Sequence, residues 1–526
     1  MGKALEIGKT SATGSFQLFV GVAVSTVIMA VSTIILARLM SPEEYGLYSV
    51  ALIPSYMIIL FRDWGVNSAV IKYSATLKAQ SKQEDLRETI KAGILFETAT
   101  GIALTFISIL LSSFIATTIF NRPESSLLIA ITSTTILSGA LLTASQSSFV
   151  GLEKMELNSL TTISQAIAKS VISPILVIIG YSTLGAVLGY TISTIAAAAL
   201  GLATLYLMVY RDLKAKNSQK TNLQETLRRM LLFGIPLSVS SILGGFLAQF
   251  YAFLMAIYCS DALIGNYQIA AQFAVILTFF TIPISTVLFP VFSRIDSQNE
   301  HELLQAVYAA SIKYTAIFLV PATMAMMVLS QPMINTLFGQ KWIHAPFFLT
   351  LYVIINLFAI VGNLSMGGLL AGLGETKTLM KLSLITLTIG IPIALLLIPS
   401  INIVGLILTS MLAGIPSMLL GLYWVWKRYN AKVELKSSMK ILMASAIAAT
   451  ITYLILNFVA FEDWIELTFG VTVFLSTYLV VAPSIGAIST SDIQNLKTMF
   501  SDLRIISKLL NIPLNIMEKL TKAHES

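Results

Sequence analysis

Residues 41–51 read SPEEYGLYSVA, and residues 260–270 read SDALIGNYQIA. The second stretch keeps the serine, glycine, tyrosine and alanine of the first at the same spacing, about 220 residues further along the chain. Three later matches share nearly this offset: Gly151-Leu152 with Gly372-Leu373, Pro174-Ile175 with Pro392-Ile393, and Gly185 with Gly405. Each match is weak alone, but their common offset predicts that the chain is an internal duplication.

The apolar composition predicts a membrane protein. Hydrophobic residues make up 56% and charged residues 11% of the 526 residues, whereas about a quarter of a soluble domain is charged. Apolar runs of roughly 20 residues, which can cross a bilayer as helices, recur along both copies of the duplication. The sequence predicts fourteen spans, six in each copy and two more: 16–37, 45–61, 93–119, 127–150, 160–179, 184–210, 231–257, 264–292, 314–338, 347–370, 379–398, 401–426, 441–461 and 465–488.

An even number of spans in each copy predicts that both copies insert in the same orientation, related by an axis along the membrane normal. The predicted fold is an all-α polytopic membrane protein with two parallel six-helix lobes and two extra transmembrane helices around a central cavity. The predicted boundaries are 1–220 and 221–436 for the lobes, 437–488 for the extra pair and 489–526 for a cytoplasmic amphipathic tail. Apolar residues at three- and four-residue spacings from Ile493 to Leu510 favour a tail helix along the inner leaflet; partner docking is the alternative.

The distribution of basic residues predicts the orientation. Lysine and arginine accumulate in cytoplasmic loops, and most of the 33 basic residues fall in the inner connections if the N-terminus is inside. Both termini are therefore predicted to be cytoplasmic, in a multi-pass protein of the cell membrane. The net charge of +7 needs no nucleic-acid partner, because basic inner loops face anionic lipid headgroups.

No catalytic or metal site is predicted. The sequence lacks a phosphate-binding P-loop, a zinc-ligand cluster and a Ser/His/Asp arrangement, and its three histidines are scattered. The single cysteine, Cys259, excludes an internal disulfide. We therefore predict no catalytic residue, no metal and no cofactor.

Ionisable groups inside the predicted spans mark the candidate site, because a charge near mid-bilayer costs about 2.5–3.5 kcal/mol on insertion scales unless it faces water or a partner. Lys169 lies midway along the fifth span, on a polar stripe that includes Thr161, Gln165 and Ser173. The stripe is predicted to face the cavity, so that Lys169 and Gln165 bind substrate; alternatively, Lys169 pairs with an acid in the bundle wall. Glu97, on a polar face of the third span, is a candidate for ion coupling, or else is solvated or paired locally at the inner boundary.

Charged residues also close the first two spans. Arg38 is a candidate phosphate ligand at the outer rim, unless it only reaches the outer headgroups. Arg62 is a candidate for substrate binding and Asp63 for ion coupling; the alternative is that these two pair with each other. Between the spans, Ser41-Pro42-Glu43-Glu44 predicts a helix start with a capping box.

The second copy carries amides in its spans rather than charges. A positively biased first copy would hold an anionic headgroup, while a hydrogen-bonding second copy accommodates sugar hydroxyls. The alternative is that these amides join helices inside the membrane. The candidate substrate-binding amides are Gln249, Gln272, Asn356 and Asn363.

Four motifs resemble those of a known family. Residues 37–48 read ARLMSPEEYGLY, 63–66 read DWGV, 233–237 read FGIPL and 287–294 read VLFPVFSR. They are similar to motifs of the polysaccharide transporter family of lipid-linked oligosaccharide flippases, within the multidrug/oligosaccharidyl-lipid/polysaccharide flippase superfamily. The resemblance covers the chain to about residue 490.

The resemblance implies a V-shaped chamber that alternates between inward-open and outward-open states. The implied cargo is an oligosaccharide on a polyprenyl-type phosphate or pyrophosphate, moved from the cytoplasmic to the outer leaflet, and Arg38, Arg62 and Lys169 would bind its phosphate. Membrane lipids and polysaccharide-assembly enzymes are the other implied partners.

Two alternatives differ in chemistry. A multidrug or cation antiporter of the same superfamily needs membrane acids, but the spans 16–37 and 231–257 contain no Asp or Glu. A multi-span glycosyltransferase or polymerase would use acids such as Glu43 and Glu44 in an outer loop, but the sequence predicts no outer domain to hold an acceptor sugar. We therefore expect a transporter rather than an enzyme.

Overall fold

The computed structural model describes residues 2–213, 222–295, 299–458, 461–500 and 514–521, and in these ranges the chain forms helices and no strand. The helices are α1 Gly2–Leu39, α2 Pro42–Ile59, α3 Val66–Ala79, α4 Gln83–Phe114, α5 Ser125–Gly151, α6 Met155–Leu176, α7 Ser182–Met208, α8 Leu223–Tyr258, α9 Asp261–Arg294, α10 His301–Val328, α11 Ser330–Phe338, α12 Ala345–Val353, α13 Asn363–Gly372, α14 Thr376–Tyr429, α15 Leu435–Phe458, α16 Asp463–Ser484 and α17 Thr490–Phe500. The all-α fold is as predicted.

Many of these helices are long and apolar enough to cross a membrane. Within the described ranges nine pass this test, or up to ten if the bent pair Ala345–Val361 and Asn363–Gly372 is one span. Two of the nine, Met155–Asp212 and Thr376–Tyr429, each cover two predicted spans. The multi-pass character is confirmed, and the exact number of fourteen stays a prediction.

The backbone repeats an unusual conformation at the offset that the sequence predicts. Ser182, the first residue of α7, has φ 44° and ψ −126°, and Asn402, within α14, has φ 52° and ψ −129°. Both values fall in a region that residues with a Cβ rarely adopt. Gly185 and Gly405 follow three residues later, and a Cβ on either would lie less than 3 Å from backbone that precedes the break, at Leu176 for Gly185 and at Leu397 for Gly405. The same break at the same offset supports the duplication.

Contacts divide the chain into two compact units, Met1–Gly265 and Asn266–Ser526. Helix α8 therefore packs within the first unit, although the predicted boundary puts it in the second lobe. A Cβ on Gly65 would lie 2.1 Å from the carbonyl oxygen of Gly234, and Met230 is buried with Val66 and Val70. These contacts place α8 against α3. The boundaries of the lobes stay a prediction.

Small residues allow close helix packing in the first unit, as is usual in membranes. A Cβ on Gly21 of α1 would lie 2.3 Å from Ser159 Oγ of α6, and a Cβ on Gly189 of α7 would lie 2.2 Å from Ser173 Oγ of α6. Helix α6 is thus held between α1 and α7.

In the second unit, α10, α15 and α16 form an apolar core that includes part of the tail. Ile493 and Leu496 of α17 are buried in this core, and Asp492 forms an ion pair with Lys313 of α10 at 2.6 Å. Ile493 and Leu496 therefore contact protein, and the position of the tail along the inner leaflet stays a prediction. The predicted continuation of the tail helix, 501–513, lies outside the described residues.

Candidate functional site

Lys169 lies on α6 in the first unit and is half-buried. Its Nζ is 5.3 Å from the ring centroid of Tyr190 on α7, a cation–π distance. In the described part of the chain, no carboxylate forms an ion pair with this ammonium group. The alternative of an acidic partner in the bundle wall therefore finds no support among these residues.

The polar stripe around Lys169 faces the neighbouring helices α5 and α7. Gln165 donates from Nε2 to Thr194 Oγ1 of α7 at 3.2 Å. Gln146 of α5 donates from Nε2 to Thr161 Oγ1 at 3.2 Å. The stripe therefore joins α5, α6 and α7 through hydrogen bonds between uncharged side chains. Lys169 is the charged residue of the stripe.

Two phenols, Tyr190 beside Lys169 and its neighbour Tyr56, were not among the predicted site residues. The hydroxyls of Tyr56 on α2 and Tyr190 on α7 are 3.3 Å apart, and Tyr56 is 39% exposed. A signal existed in the sequence, because Tyr45, Tyr48 and Tyr56 share one face of α2 at helical spacing. Nothing local connects that face with α6 or α7.

Arg62 forms a buried ion pair with Glu97. Arg62 Nε lies 3.0 Å from Glu97 Oε2, and these residues are 4% and 0% exposed. Asn67 donates from Nδ2 to Glu97 Oε1 at 2.8 Å and to Asp63 Oδ1 at 2.9 Å. The four side chains form one connected polar cluster between α3, α4 and the end of α2.

The remaining guanidinium nitrogens of Arg62 reach α5. One donates to the Ile136 carbonyl oxygen and the other to Thr143 Oγ1, both at 3.3 Å. In the structure, Arg62 pairs with Glu97 rather than with Asp63, the pairing that the sequence offered as an alternative. The substrate role of Arg62 and the coupling roles of Glu97 and Asp63 stay predictions.

The other predicted site residues lie elsewhere. Arg38 is exposed in the last turn of α1. The half-buried Gln249 is on α8 in the first unit. Gln272, Asn356 and Asn363 belong to the second unit; Gln272 is exposed, and Asn356 donates from Nδ2 to the Val353 carbonyl oxygen at 3.1 Å. That contact satisfies part of the Asn356 amide locally, and the binding roles of these residues stay predictions.

Comparison with known families identifies the chain. A family model described as polysaccharide biosynthesis protein matches residues 35–346. The chain belongs to the polysaccharide biosynthesis protein family. The matched region contains α2 to α11, including the Lys169 stripe and the Arg62–Glu97 cluster.

Two curated relatives of this family member match parts of the chain. One is "Probable low-salt glycan biosynthesis flippase Agl15" of Haloferax volcanii, 21% identical over 243 residues, which cover 46% of this chain and 51% of the relative. The other is "Lipopolysaccharide biosynthesis protein WzxC" of Escherichia coli K12, 30% identical over 134 residues, 25% of this chain and 27% of the relative. The matched segments thus span about half of the first relative and about a quarter of the second.

The fold of this family member is also found in a solved structure, "Lipid II flippase MurJ, inward closed conformation". The TM-score is 0.70 at 16% identity, and the match covers 92% of this chain and 99% of that chain. At this identity the likeness concerns the fold alone, and it confirms the predicted class of polytopic helical membrane protein.

Proposed function

We propose that this chain is a flippase that moves an oligosaccharide linked to a polyprenyl-type phosphate or pyrophosphate from the cytoplasmic to the outer leaflet by alternating access. One observation carries the proposal: Lys169 presents an ammonium group on a polar stripe of an apolar span, without a carboxylate partner among the described residues.

The physical chemistry of Lys169 favours an anionic cargo. A lysine near mid-bilayer costs about 2.5–3.5 kcal/mol unless water or an anion compensates it. A phosphate group supplies that compensation and is strongly hydrogen-bonding. Outward movement of an anion is also helped by an inside-negative membrane potential, by about 2.3 kcal/mol per charge per 100 mV.

The relatives support this choice of cargo. The names of two similar proteins, Agl15 and MurJ, describe flippases, and those of Agl15 and WzxC describe glycan or lipopolysaccharide biosynthesis. Because the family is one of polysaccharide biosynthesis, a lipid-linked sugar fits the site better than a cationic drug, which Lys169 would repel.

A transport assay tests the proposal. Purified protein in proteoliposomes should move a fluorescent polyprenyl-pyrophosphate oligosaccharide between leaflets, with the accessible fraction measured by a membrane-impermeant quencher. We expect Lys169→Ala to reduce the rate about tenfold or more, since a hydrogen bond to a charged group contributes about 1.5–3 kcal/mol. Lys154→Ala is the matched control, because Lys154 precedes the same helix and binds the Met208 carbonyl oxygen at 2.8 Å.

Other results would favour the alternatives. Dye efflux that depends on an imposed ion gradient, without movement of the glycolipid, would indicate a drug antiporter. Cleavage or extension of the labelled glycan would indicate an enzyme. Normal flipping by Lys169→Ala would remove this residue from the binding site.

The proposal extends to the remaining predicted residues. Arg38 and Arg62 would contact phosphate, and the amides Gln165, Gln249, Gln272, Asn356 and Asn363 would contact sugar. Glu97 and Asp63 would couple transport to an ion, supported by the complete burial of Glu97. If Glu97→Gln leaves the rate and its pH dependence unchanged, the coupling role is wrong.

The proposed cellular setting is the cell membrane, with both termini in the cytoplasm and polysaccharide-assembly enzymes as partners. The basic inner connections support this orientation. Reporter fusions after residue 526 and after each predicted connection test it, because a periplasmic or exterior signal from the C-terminal fusion would reverse the topology.

A further inference from the structure

Resting on the proposed function, we propose that Tyr56 and Tyr190 form a sugar-binding subsite beside Lys169. In this headgroup subsite, made by Lys169, Tyr190 and Tyr56, the ammonium binds the phosphate, and the two phenols bind the sugar attached to it.

Three helices of the first unit bring these groups together. Lys169 Nζ of α6 lies 5.3 Å from the ring centroid of Tyr190 on α7. The Tyr190 hydroxyl lies 3.3 Å from the Tyr56 hydroxyl on α2. The ammonium and the phenol pair therefore adjoin a shared ring, so a ligand that carries an anion next to a hydroxylated group matches their order.

The phenol pair retains hydrogen-bonding capacity. When one hydroxyl donates to the other, the accepting phenol still has its own O–H to donate, and lone pairs also remain. Within the described ranges, neither hydroxyl has another hydrogen-bond partner. Because an unpaired hydroxyl is costly in an apolar environment, this pair is suited to a partner that both donates and accepts, as sugar hydroxyls do.

The ring of Tyr56 offers an exposed aromatic face on which a sugar ring can stack. Tyr56 is 39% exposed, although it lies within a predicted span. A phenol combines an apolar face with a polar tip, so the C–H face of a sugar ring can lie on Tyr56 while its hydroxyls reach the phenol pair. Such a contact distinguishes a glycan-bearing lipid from the same lipid without sugar.

The phosphate could belong to a lipid or to a free sugar phosphate, because both present the same anion. Three ligands separate these sources: a polyprenyl-phosphate oligosaccharide, the same polyprenyl phosphate without sugar, and the sugar phosphate without lipid. Their dissociation constants should be measured with the full-length protein in nanodiscs.

We expect Tyr56→Ala to weaken binding of the glycan-bearing lipid about tenfold and to leave the affinity for the sugar-free lipid within about twofold of the wild-type value. Tyr56→Phe keeps the ring and removes the hydroxyl, so we expect a smaller loss, about threefold, for the glycan-bearing lipid alone. Lys169→Gln should weaken binding of both lipids about tenfold or more. Tyr206→Ala is the control, because Tyr206 is exposed on α7 and stacks on Tyr210 with centroids 6.2 Å apart.

Each contrary result has its own meaning. If Tyr56→Ala and Tyr56→Phe affect both lipids equally, or neither, the sugar-binding subsite is wrong while wild-type flipping still supports the proposed function. Equal affinity for the lipid-free sugar phosphate would overturn the assignment to a lipid headgroup. If the wild-type protein neither binds nor moves the glycan-bearing lipid, the proposed function itself is wrong.

Discussion

Gly46 and Gly265 occupy the same position in the two copies of the duplicated motif. Each glycine packs against the backbone of the helix start that contains the other glycine. A Cβ on Gly46 would be 1.9 Å from the Asp261 carbonyl oxygen, and a Cβ on Gly265 would be 2.1 Å from the Pro42 carbonyl oxygen. The starts of α2 and α9 can approach this closely only because both positions are glycine. The motif that reveals the duplication is therefore also a contact between its two copies.

Replacing either glycine should destabilise the first unit. We expect Gly265→Ala to lower the free energy of unfolding by about 1–3 kcal/mol, because the added methyl group meets backbone that cannot rotate away. The measurement is the thermal unfolding midpoint in detergent. Gly244→Ala is the control, since nothing lies within 4 Å of a Cβ at this position of α8, and an alanine favours a helix. An unchanged midpoint for Gly265→Ala would show that the two helix starts separate easily.

Arg122, in the loop between α4 and α5, connects the C-terminal end of α8 with the start of α9. Its side chain donates to Asp261 Oδ1 and to the Cys259 carbonyl oxygen, both at 2.6 Å, and also to the Ala256 carbonyl oxygen. Burial raises the pKa of the Cys259 thiol to about 12, while Arg122 opposes that shift. The single cysteine of the chain is therefore a probe of this corner.

We expect Cys259 to react very slowly with a maleimide in the native protein, because it is 2% exposed and the thiolate is the reactive form. Arg122→Ala removes the donor of Asp261 and of three carbonyl groups, which should loosen the corner. We expect the resulting exposure of the thiol to speed the reaction at least tenfold and to outweigh the loss of a positive charge that favours the thiolate. Mass spectrometry follows the modification. Arg211→Ala, which removes one member of an exposed pair with Asp212, should leave the rate unchanged. Equal rates in Arg122→Ala and the wild type would mean that Arg122 does not hold this corner closed.

The sequence predicts features whose causes are local. The capping box is confirmed, with Glu44 N donating to Ser41 Oγ at 3.2 Å and Ser41 N donating to Glu44 Oε2 at 2.7 Å. Both bonds join residues three apart, so the motif alone specifies them. The membrane class and the duplication are equally visible, because they depend on composition and on one repeated offset.

The partners of the charged residues are not visible in the sequence. Arg62 and Glu97 are 35 positions apart on different segments, and Asp63 is a nearer acid, so proximity along the chain suggests a pair that the structure does not form. The packing of α8 in the first unit is also not visible in the sequence. The offset of the repeat identifies the two copies, whereas packing depends on contacts between distant residues, such as that between Gly65 and Gly234.

The strained residue within α14 gives a prediction about stability. Asn402 has φ 52° and ψ −129°, where a Cβ costs about 1–3 kcal/mol. We expect Asn402→Gly to stabilise the protein by about 1 kcal/mol, after the extra backbone entropy of glycine is subtracted. Ser400→Gly, at an exposed position two residues earlier in helical conformation, should instead destabilise by about 1 kcal/mol. Thermal unfolding of the two variants should therefore shift in opposite directions, and a shift in the same direction would contradict the strain at Asn402.

Glu375 gives a pH dependence whose sign is fixed by its contacts. The Thr378 hydroxyl donates to this carboxylate at 2.8 Å, the Tyr429 hydroxyl donates to it at 2.8 Å, and Arg428 forms an ion pair with it. The Thr378 bond is the main cause that lowers the pKa of Glu375, and Tyr429 and Arg428 act in the same direction. Because the folded pKa lies below the unfolded value of about 4.3, the contribution of Glu375 to stability is complete above that value and is lost as the pH falls through the folded pKa.

We expect Glu375→Gln to lower the unfolding midpoint at pH 6 and to have a smaller effect at pH 3, where the wild-type carboxylate is being protonated. Glu434→Gln, at an exposed position, is the control and should change the midpoint little at either pH. A Glu375→Gln effect that grows on acidification would reverse the sign and exclude a stabilising carboxylate at this junction of the two ends of α14.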